Sequence, residues 1–184
     1  TQKFYKTLDE VNEAADRLVK RGMDAFYGLG KFKTDENRKA ENCGWMQSFF
    51  LDIDCGEGKP YADQQAGVVA LQDFCRATKM PRPTIIRSGR GVHVYWVLNN
   101  AISRDEWKPR AEQLKQLCAD HGLEADPAVT SDPARILRVP GTKHLKDANN
   151  PLPVEIVYMA PMVSVETMMD KLTPTEDVLA VLDK

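Results

Sequence analysis

The chain has 184 residues, of which 42% are hydrophobic and 28% are charged, and its net charge is −2 at neutral pH. This composition is typical of a globular protein that buries a substantial core. No apolar run approaches the ~20 residues that a membrane-spanning helix needs, so we expect a cytoplasmic, intracellular protein with no membrane contact. Proteins that coat nucleic acid non-specifically are usually basic, so any nucleic-acid binding here has to rely on local clusters of positive charge.

We expect one domain over the whole chain, 1–184, consisting of an N-terminal extension, a core and a C-terminal extension. These parts cover about 1–45, 46–140 and 150–184. In the extension, the capping box of Thr7 and Glu10 opens an amphipathic helix. A short strand over 25–29 and a long polar loop over 31–45 complete it.

The core repeats strand and helix patterns in the order β-α-β-β-α-β. Strands are predicted at 46–54, 83–87, 92–98 and within 123–139, and helices over about 61–79 and 104–121. A further strand at 153–159 and helices near 164–171 and 174–183 follow. This order predicts an α+β fold of the RRM-like or ferredoxin-like type, with helices on one face of the sheet and the other face open.

Two carboxylates close the first core strand. Side chains alternate along a strand, so Asp52 and Asp54 share one face while the apolar residues between and before them take the other. The predicted topology places the third core strand alongside, so His93 and Tyr95 join them on the open face. Neighbouring carboxylates repel unless a cation lies between them, and a divalent metal is the usual solution. The alternative is that the Asp pair merely ends a strand.

A third carboxylate has two candidates before the fourth strand. Asp126 follows a plausible strand entry, and Asp132 precedes Pro133 and could equally be a turn residue. We prefer Asp126 and leave Asp132 open.

Two basic segments accompany the carboxylates. In the turn Ser88-Gly89-Arg90-Gly91, glycines would let backbone amides approach a phosphate, although they also suit a plain hairpin turn. Arg135 and Arg138 suit a triphosphate because guanidinium binds phosphate oxygens in a bidentate way. Strict alternation puts these arginines on opposite faces, so a bulge or turn has to intervene if both serve the site. The alternative is a solvated surface pair.

Together these blocks resemble the archaeo-eukaryotic primase superfamily, in particular the primase-polymerases of phages and plasmids. The strand ending in Asp52-Ile53-Asp54, the segment SGRGVHVYW and the segment DPAVTSDPARILRVPGT match the three motifs of that family in order. The resemblance covers about 25–158. His144 is a departure, since relatives often carry Asn there.

The resemblance implies a template-directed nucleotidyltransferase that makes or extends primers on single-stranded DNA. Asp52, Asp54 and Asp126 would hold two Mg²⁺ or Mn²⁺ ions for phosphoryl transfer. The implied residues for the nucleoside triphosphate are Ser88, Arg90, His93, Arg135, Arg138 and Lys143. The implied partners are the template, the primer strand, NTP or dNTP, and a helicase, and the gene would belong to a phage or plasmid.

Three other functions compete with this interpretation. A rolling-circle initiator or relaxase nicks DNA through a tyrosine but needs a His-x-His metal pair, where this chain has His93-Val94-Tyr95. A non-catalytic single-strand-binding module stacks bases on exposed sheet aromatics and has no use for two carboxylates there. A nucleotide cyclase is the third alternative.

Overall fold

The computed structural model describes residues 2–182. The strands are β1 (Phe26–Gly28), β2 (Gly30–Phe32), β3 (Cys43–Ile53), β4 (Thr84–Ser88), β5 (Val92–Ser103), β6 (Ile136–Arg138), β7 (Lys143–His144) and β8 (Leu152–Tyr158). The helices are α1 (Leu8–Lys20), α2 (Gln64–Thr78), α3 (Arg104–Asp120), α4 (Pro127–Thr130), α5 (Val165–Lys171) and α6 (Glu176–Leu182).

The main sheet has six strands in the order β2-β3-β5-β4-β8-β7, and each pairing in it is antiparallel. The α+β class is therefore confirmed. The first and third core strands, β3 and β5, are neighbours, and β4 flanks β5 on its other side, as the sequence pattern predicts.

The predicted fourth core strand does not join this sheet. It is the short β6, which pairs with β1 in a separate two-stranded sheet, while β2 occupies the place beside β3. The complete RRM-like arrangement is thus not present. The prediction of one loop over 31–45 is also wrong, because this segment contains the end of β2, a 3-10 turn at Ala40–Asn42 and the start of β3. As an edge strand with polar residues, β2 lacks the apolar alternation that would reveal it.

The apolar side of β3 packs against the helices. Phe49, Leu51 and Ile53 are fully buried there. Trp107 of α3 is also fully buried, stacks on Phe49 with ring centroids 5.9 Å apart, and donates its indole N–H to the carbonyl of Ser48 at 2.9 Å. Burying side chains of this size stabilises a fold by about 2–3 kcal/mol each. The packing of β3 on the helix layer therefore anchors the strand that carries Asp52.

The opposite side of the sheet is covered, in contrast to the predicted open face. His93 and Tyr95 are only 2% and 4% exposed, and Tyr27 of β1 lies beside Tyr95. The sheet of β1 and β6 therefore encloses the aromatic part of this face. Asp52 keeps a side-chain exposure of 25%, so the face stays partly accessible near the end of β3.

The C-terminal segment follows the predicted pattern. β8 pairs with β4, and α5 and α6 come after it within about two residues of their predicted bounds. The predicted final helical residue, 183, lies outside the described residues. None of the helices within 2–182 has the length and apolar content to cross a membrane.

Candidate active site

A carboxylate and an imidazole face each other at the end of the central strand pair. Asp52 in β3 is the direct cross-strand partner of His93 in β5, so the two side chains share a face as predicted. The His93 Nε2 atom lies 3.9 Å from Asp52 Oδ1. Asp54 follows one residue beyond the end of β3 and is more exposed. The strand pairing therefore places Asp52 at the end of β3, where the covered face is still partly exposed, and Asp54 follows it in the loop.

Asp126 is the third carboxylate of this group. Its backbone N–H donates to the carbonyl of Asp52 at 2.8 Å, and its side chain caps α4 by accepting from the N–H of Ala128 at 2.9 Å. Asp132 lies further along, where it accepts from the N–H of Ala134 at 2.9 Å. The structure thus places Asp126 beside Asp52, while Asp132 ends the next turn.

The electrostatic surroundings of Asp52 contain both signs of charge. Burial, followed by the charges of Asp54 and Asp126, raises the pKa of Asp52 to about 6, and the charges of Arg135 and Arg138 oppose this shift. Both arginines therefore act on the same carboxylate. The predicted turn between them is not seen in this part of the described chain, because the turn at 133–134 comes before Arg135 and the segment from Ile136 to Arg138 is the strand β6.

His93 is a neutral imidazole at neutral pH. Burial, with a contribution from the charge of Arg138, lowers its pKa to about 4. Its Nδ1 atom is buried and has no hydrogen-bond partner among residues 2–182. The buried Nε atom of Arg135 also makes no hydrogen bond within these residues, but it forms an ion pair with Asp132, whose Oδ2 atom lies 3.6 Å away. Buried polar atoms without partners are rare in proteins, and a bound ligand is one way to satisfy them.

Lys59 adds a positive charge that the sequence interpretation missed. Its ammonium nitrogen lies 2.6 Å from Asp54 Oδ2, and the charges of Asp52 and Asp126 also act on it. The only signal in the sequence is a lysine in the loop GEGKP, which begins two residues after Asp54. A side-chain cation therefore already stands at the carboxylates.

The three carboxylates suit a divalent metal in chemistry but not in their present geometry. Carboxylate oxygens are the ligands that Mg²⁺ and Mn²⁺ prefer. Burial and then the charges of Asp54 and Asp126 raise the pKa of Asp52, and a bound cation would stabilise its ionised form. Yet within residues 2–182 no three His, Cys, Asp or Glu side chains are arranged to hold one ion. Asp54 is bonded to Lys59 and Asp126 to the N–H of Ala128, so both would have to turn. The metal site stays a prediction.

The turn between β4 and β5 lies directly beside these residues. The N–H of Ser88 donates to the carbonyl of Gly91 at 2.9 Å. A Cβ atom on Gly91 would stand 2.4 Å from the backbone oxygen of Ile53, and one on Gly89, where φ is +95°, would stand 2.6 Å from Cβ of His144. Close approach of other backbone and side-chain atoms therefore requires both glycines. Ser88 is buried in this turn, and Arg90 is exposed.

Arg138 is held in place by residues from the N-terminal part of the chain. Its Nε atom lies 3.2 Å from Oδ1 of Asp24, an oxygen that also accepts from the N–H of Leu145 at 3.1 Å. Its guanidinium lies 4.9 Å from the ring centroid of Phe26, the cross-strand partner of Arg138 in β1. Asp24, which the sequence interpretation also missed, thus fixes this arginine.

Lys143 is the predicted residue that the structure does not bring to this group. Its neighbour His144 is buried against Gly89, whereas Lys143 is exposed and lines a separate cavity of about 180 Å³ near the end of α1. Adjacent residues of a strand point to opposite sides, which accounts for the difference.

Comparison with known proteins gives one relative and two informative structures. No protein-family model matches the chain. A replication protein from Clostridium perfringens is 29% identical over 111 residues, which are 59% of this chain but only 26% of that protein. The chain therefore spans about a quarter of the length of this curated relative.

Two solved structures have the same fold over most of the chain. The primase-polymerase AEP domain of cyanophage S-2L superposes with a TM-score of 0.60 at 19% identity, covering 91% of this chain and 77% of that one. The primase RepB′ superposes with a TM-score of 0.56 at 12% identity, covering 97% of this chain and 52% of that one. The chain therefore has the fold of the archaeo-eukaryotic primase domain, the family that its three sequence motifs resemble.

Proposed function

We propose that this chain is the catalytic domain of a primase-polymerase, which joins nucleotides on a single-stranded DNA template during the priming of DNA replication. The observation that carries this proposal is the group around Asp52. The negative charges of two further carboxylates and the positive charges of two arginines all act on it. A nucleoside triphosphate with its divalent ions needs such adjacent negative and positive regions.

Each residue has a part in the proposed reaction. Bound Mg²⁺ or Mn²⁺ would activate the primer 3′-hydroxyl and neutralise charge on the departing pyrophosphate. Asp52, Asp54 and Asp126 provide oxygen ligands for these ions. Arg135 and Arg138 bind phosphate oxygens, and their fixed positions reduce the reorganisation needed during transfer.

His93 and Arg135 contribute buried polar atoms to the triphosphate. A neutral imidazole carries one N–H donor. The Nε–H of Arg135 is a second donor, which makes no hydrogen bond among residues 2–182 and lies 3.6 Å from Asp132 Oδ2. A phosphate oxygen accepts from both kinds of donor. We propose that the triphosphate satisfies these groups, with Ser88 and Arg90 contributing from the adjacent turn.

Several observations weigh against the competing functions. The hydroxyl of Tyr95 is buried beneath β1, so it is a poor nucleophile for the DNA cleavage of a relaxase. The aromatic residues of this sheet face are enclosed, so they offer no platform for stacked bases. The proposal takes the template and primer strand as partners, and a helicase partner stays a prediction from the resemblance alone.

The test is a synthesis assay on single-stranded DNA. The purified chain is given a template with or without an annealed primer, NTP or dNTP, and Mg²⁺ or Mn²⁺. We expect the primer to grow one template-directed nucleotide at a time. Strand cleavage with covalent attachment of the protein, or template binding without any synthesis, would contradict the proposal.

A further inference from the structure

The turn Ser88–Gly91 is held from the helix layer by Gln64. The side-chain Nε2 of Gln64 donates to the carbonyl oxygens of both Gly89 and Gly91, at 3.0 and 2.9 Å. Gln64 is the first residue of α2, and the preceding Asp63 caps that helix by accepting from the N–H of Ala66 at 2.8 Å. One well-anchored amide group therefore fixes two peptide units of the turn.

The location of α2 sets the direction of these bonds. Gly67 of α2 is packed so closely on β3 that a Cβ atom there would lie 3.2 Å from Cγ2 of Ile53. The helix thus lies on the Ile53 side of the sheet, and Asp52 and His93 point to the other side. The carbonyls of Gly89 and Gly91 are therefore drawn away from the carboxylates.

The direction of the carbonyls also determines where the amide N–H groups of the turn point. In a trans peptide the carbonyl and the following N–H point in opposite directions. Because the Gly89 carbonyl is directed at Gln64, the N–H of Arg90 is directed to the side of the sheet that bears Asp52. The side chain of His144 also packs against Gly89 and limits movement of the turn.

We propose that Gln64 is a positioning residue that shapes the Ser88–Gly91 turn into a binding element for the triphosphate of the incoming nucleotide. It acts through the N–H and side chain of Arg90, which it orients, and has no contact with the nucleotide of its own. This inference rests on the proposed function. A primary amide suits the role because its NH₂ group carries two donors, one for each carbonyl.

The test compares Gln64→Met with Gln65→Met. Both changes replace a Gln by an unbranched apolar side chain of similar length on adjacent residues of α2, but Gln65 is exposed. In primer extension, we expect Gln64→Met to raise the KM for the nucleotide about tenfold, equal to about 1.4 kcal/mol, with kcat and template affinity changed less than twofold. Gln65→Met should match the unchanged chain.

A measurement on the unchanged chain makes the test independent of the variant's folding. In ¹H–¹⁵N spectra, nucleoside triphosphate should shift the backbone amide signal of Arg90. An unshifted Arg90 amide, or an unchanged KM in Gln64→Met, would overturn the inference. A lower Tm with an unchanged KM would assign Gln64 a purely structural role and overturn it as well. If the unchanged chain incorporates no nucleotide, the proposed function itself fails, so the two failures are distinguishable.

Discussion

At the scale of single residues, Asp52 connects the stability of this fold with its proposed activity. Its ionised form is disfavoured by burial and by the two neighbouring carboxylates, which raise its pKa to about 6 from an ordinary value of 3.8. The folded state then binds the proton more tightly than the unfolded state, so this group lowers stability as the pH rises from about 4 through 6. Above about pH 6 the Asp52 carboxyl is ionised in the folded state, and the full loss of stability is present.

Replacing Asp52 by Asn should therefore stabilise the metal-free fold at pH 7.5. Each pKa unit corresponds to 1.36 kcal/mol, so removing the buried charge should raise the free energy of unfolding by up to about 3 kcal/mol. Urea unfolding in EDTA at pH 7.5 and at pH 3.5 measures it, and the gain should vanish at the lower pH. A less stable Asp52→Asn protein at pH 7.5 would contradict this account of the cluster.

Arg138 should distinguish nucleotide binding from template binding. Lys keeps the charge but loses the planar fork that binds two phosphate oxygens, so Arg138→Lys should weaken nucleotide binding about tenfold while template affinity changes less than twofold. Arg76→Lys is the control, because Arg76 is an exposed arginine on α2 paired with Asp73. Equal losses for nucleotide and template in Arg138→Lys would contradict its assignment to the triphosphate.

The sequence predicts some of these residues and not others for a physical reason. Asp52 and His93 follow from strand alternation, which is a local rule that the structure obeys. Lys59 and Asp24 bind their partners through loops whose path depends on the packed core. No periodicity in the sequence encodes such a path.

At the scale of elements, the loop between β3 and α2 holds Lys59 against one of the carboxylates. It is closed by a hydrogen bond from the N–H of Gly56 to the carbonyl of Tyr61 at 2.8 Å, and the Tyr61 hydroxyl accepts from the N–H of Glu124 at 2.9 Å. Lys59 is therefore carried by a loop that is fixed on both sides of the site, which accounts for its contact with Asp54.

Removing Lys59 should favour metal binding. The ammonium competes with a divalent ion for Asp54, so Lys59→Met should bind Mn²⁺ a few-fold more tightly, as measured by the loss of free Mn²⁺ signal in electron paramagnetic resonance titration. Lys79→Met is the control, since Lys79 lies at the distant end of α2. Weaker binding of Mn²⁺ by Lys59→Met would mean that Lys59 supports the site instead of competing for it.

The fourth core strand shows why element type is easier to predict than pairing. The segment that contains Arg138 does form a strand, but it is only three residues long. A strand so short has few ladder hydrogen bonds to determine its partner, and β1 provides three matching residues. Tertiary packing therefore determines the partner of β6, and the sequence pattern does not predict that β6 pairs with β1.

At the scale of the whole molecule, the candidate site is assembled from distant parts of one chain. Asp24, Asp52, His93, Asp126 and Arg138 come from five separate segments that meet where β3 ends. The net charge of the chain is only −2, so attraction for the proposed polyanionic partner would depend on this local arrangement and not on overall charge. The order of the first three core strands was predictable from alternating strand and helix patterns, whereas the partner of the fourth strand and the covered face were not.

The measurement that tests the central claim most directly is single-nucleotide incorporation on a primed template by four matched variants. Asp52→Ala, Asp54→Ala and Asp126→Ala should each lower the rate at least 100-fold while keeping a folded circular dichroism spectrum. Asp170→Ala, which removes an exposed carboxylate of α5 outside the group, should keep the rate within about threefold of the unchanged chain. Incorporation at the unchanged rate by Asp52→Ala or Asp54→Ala would contradict the account.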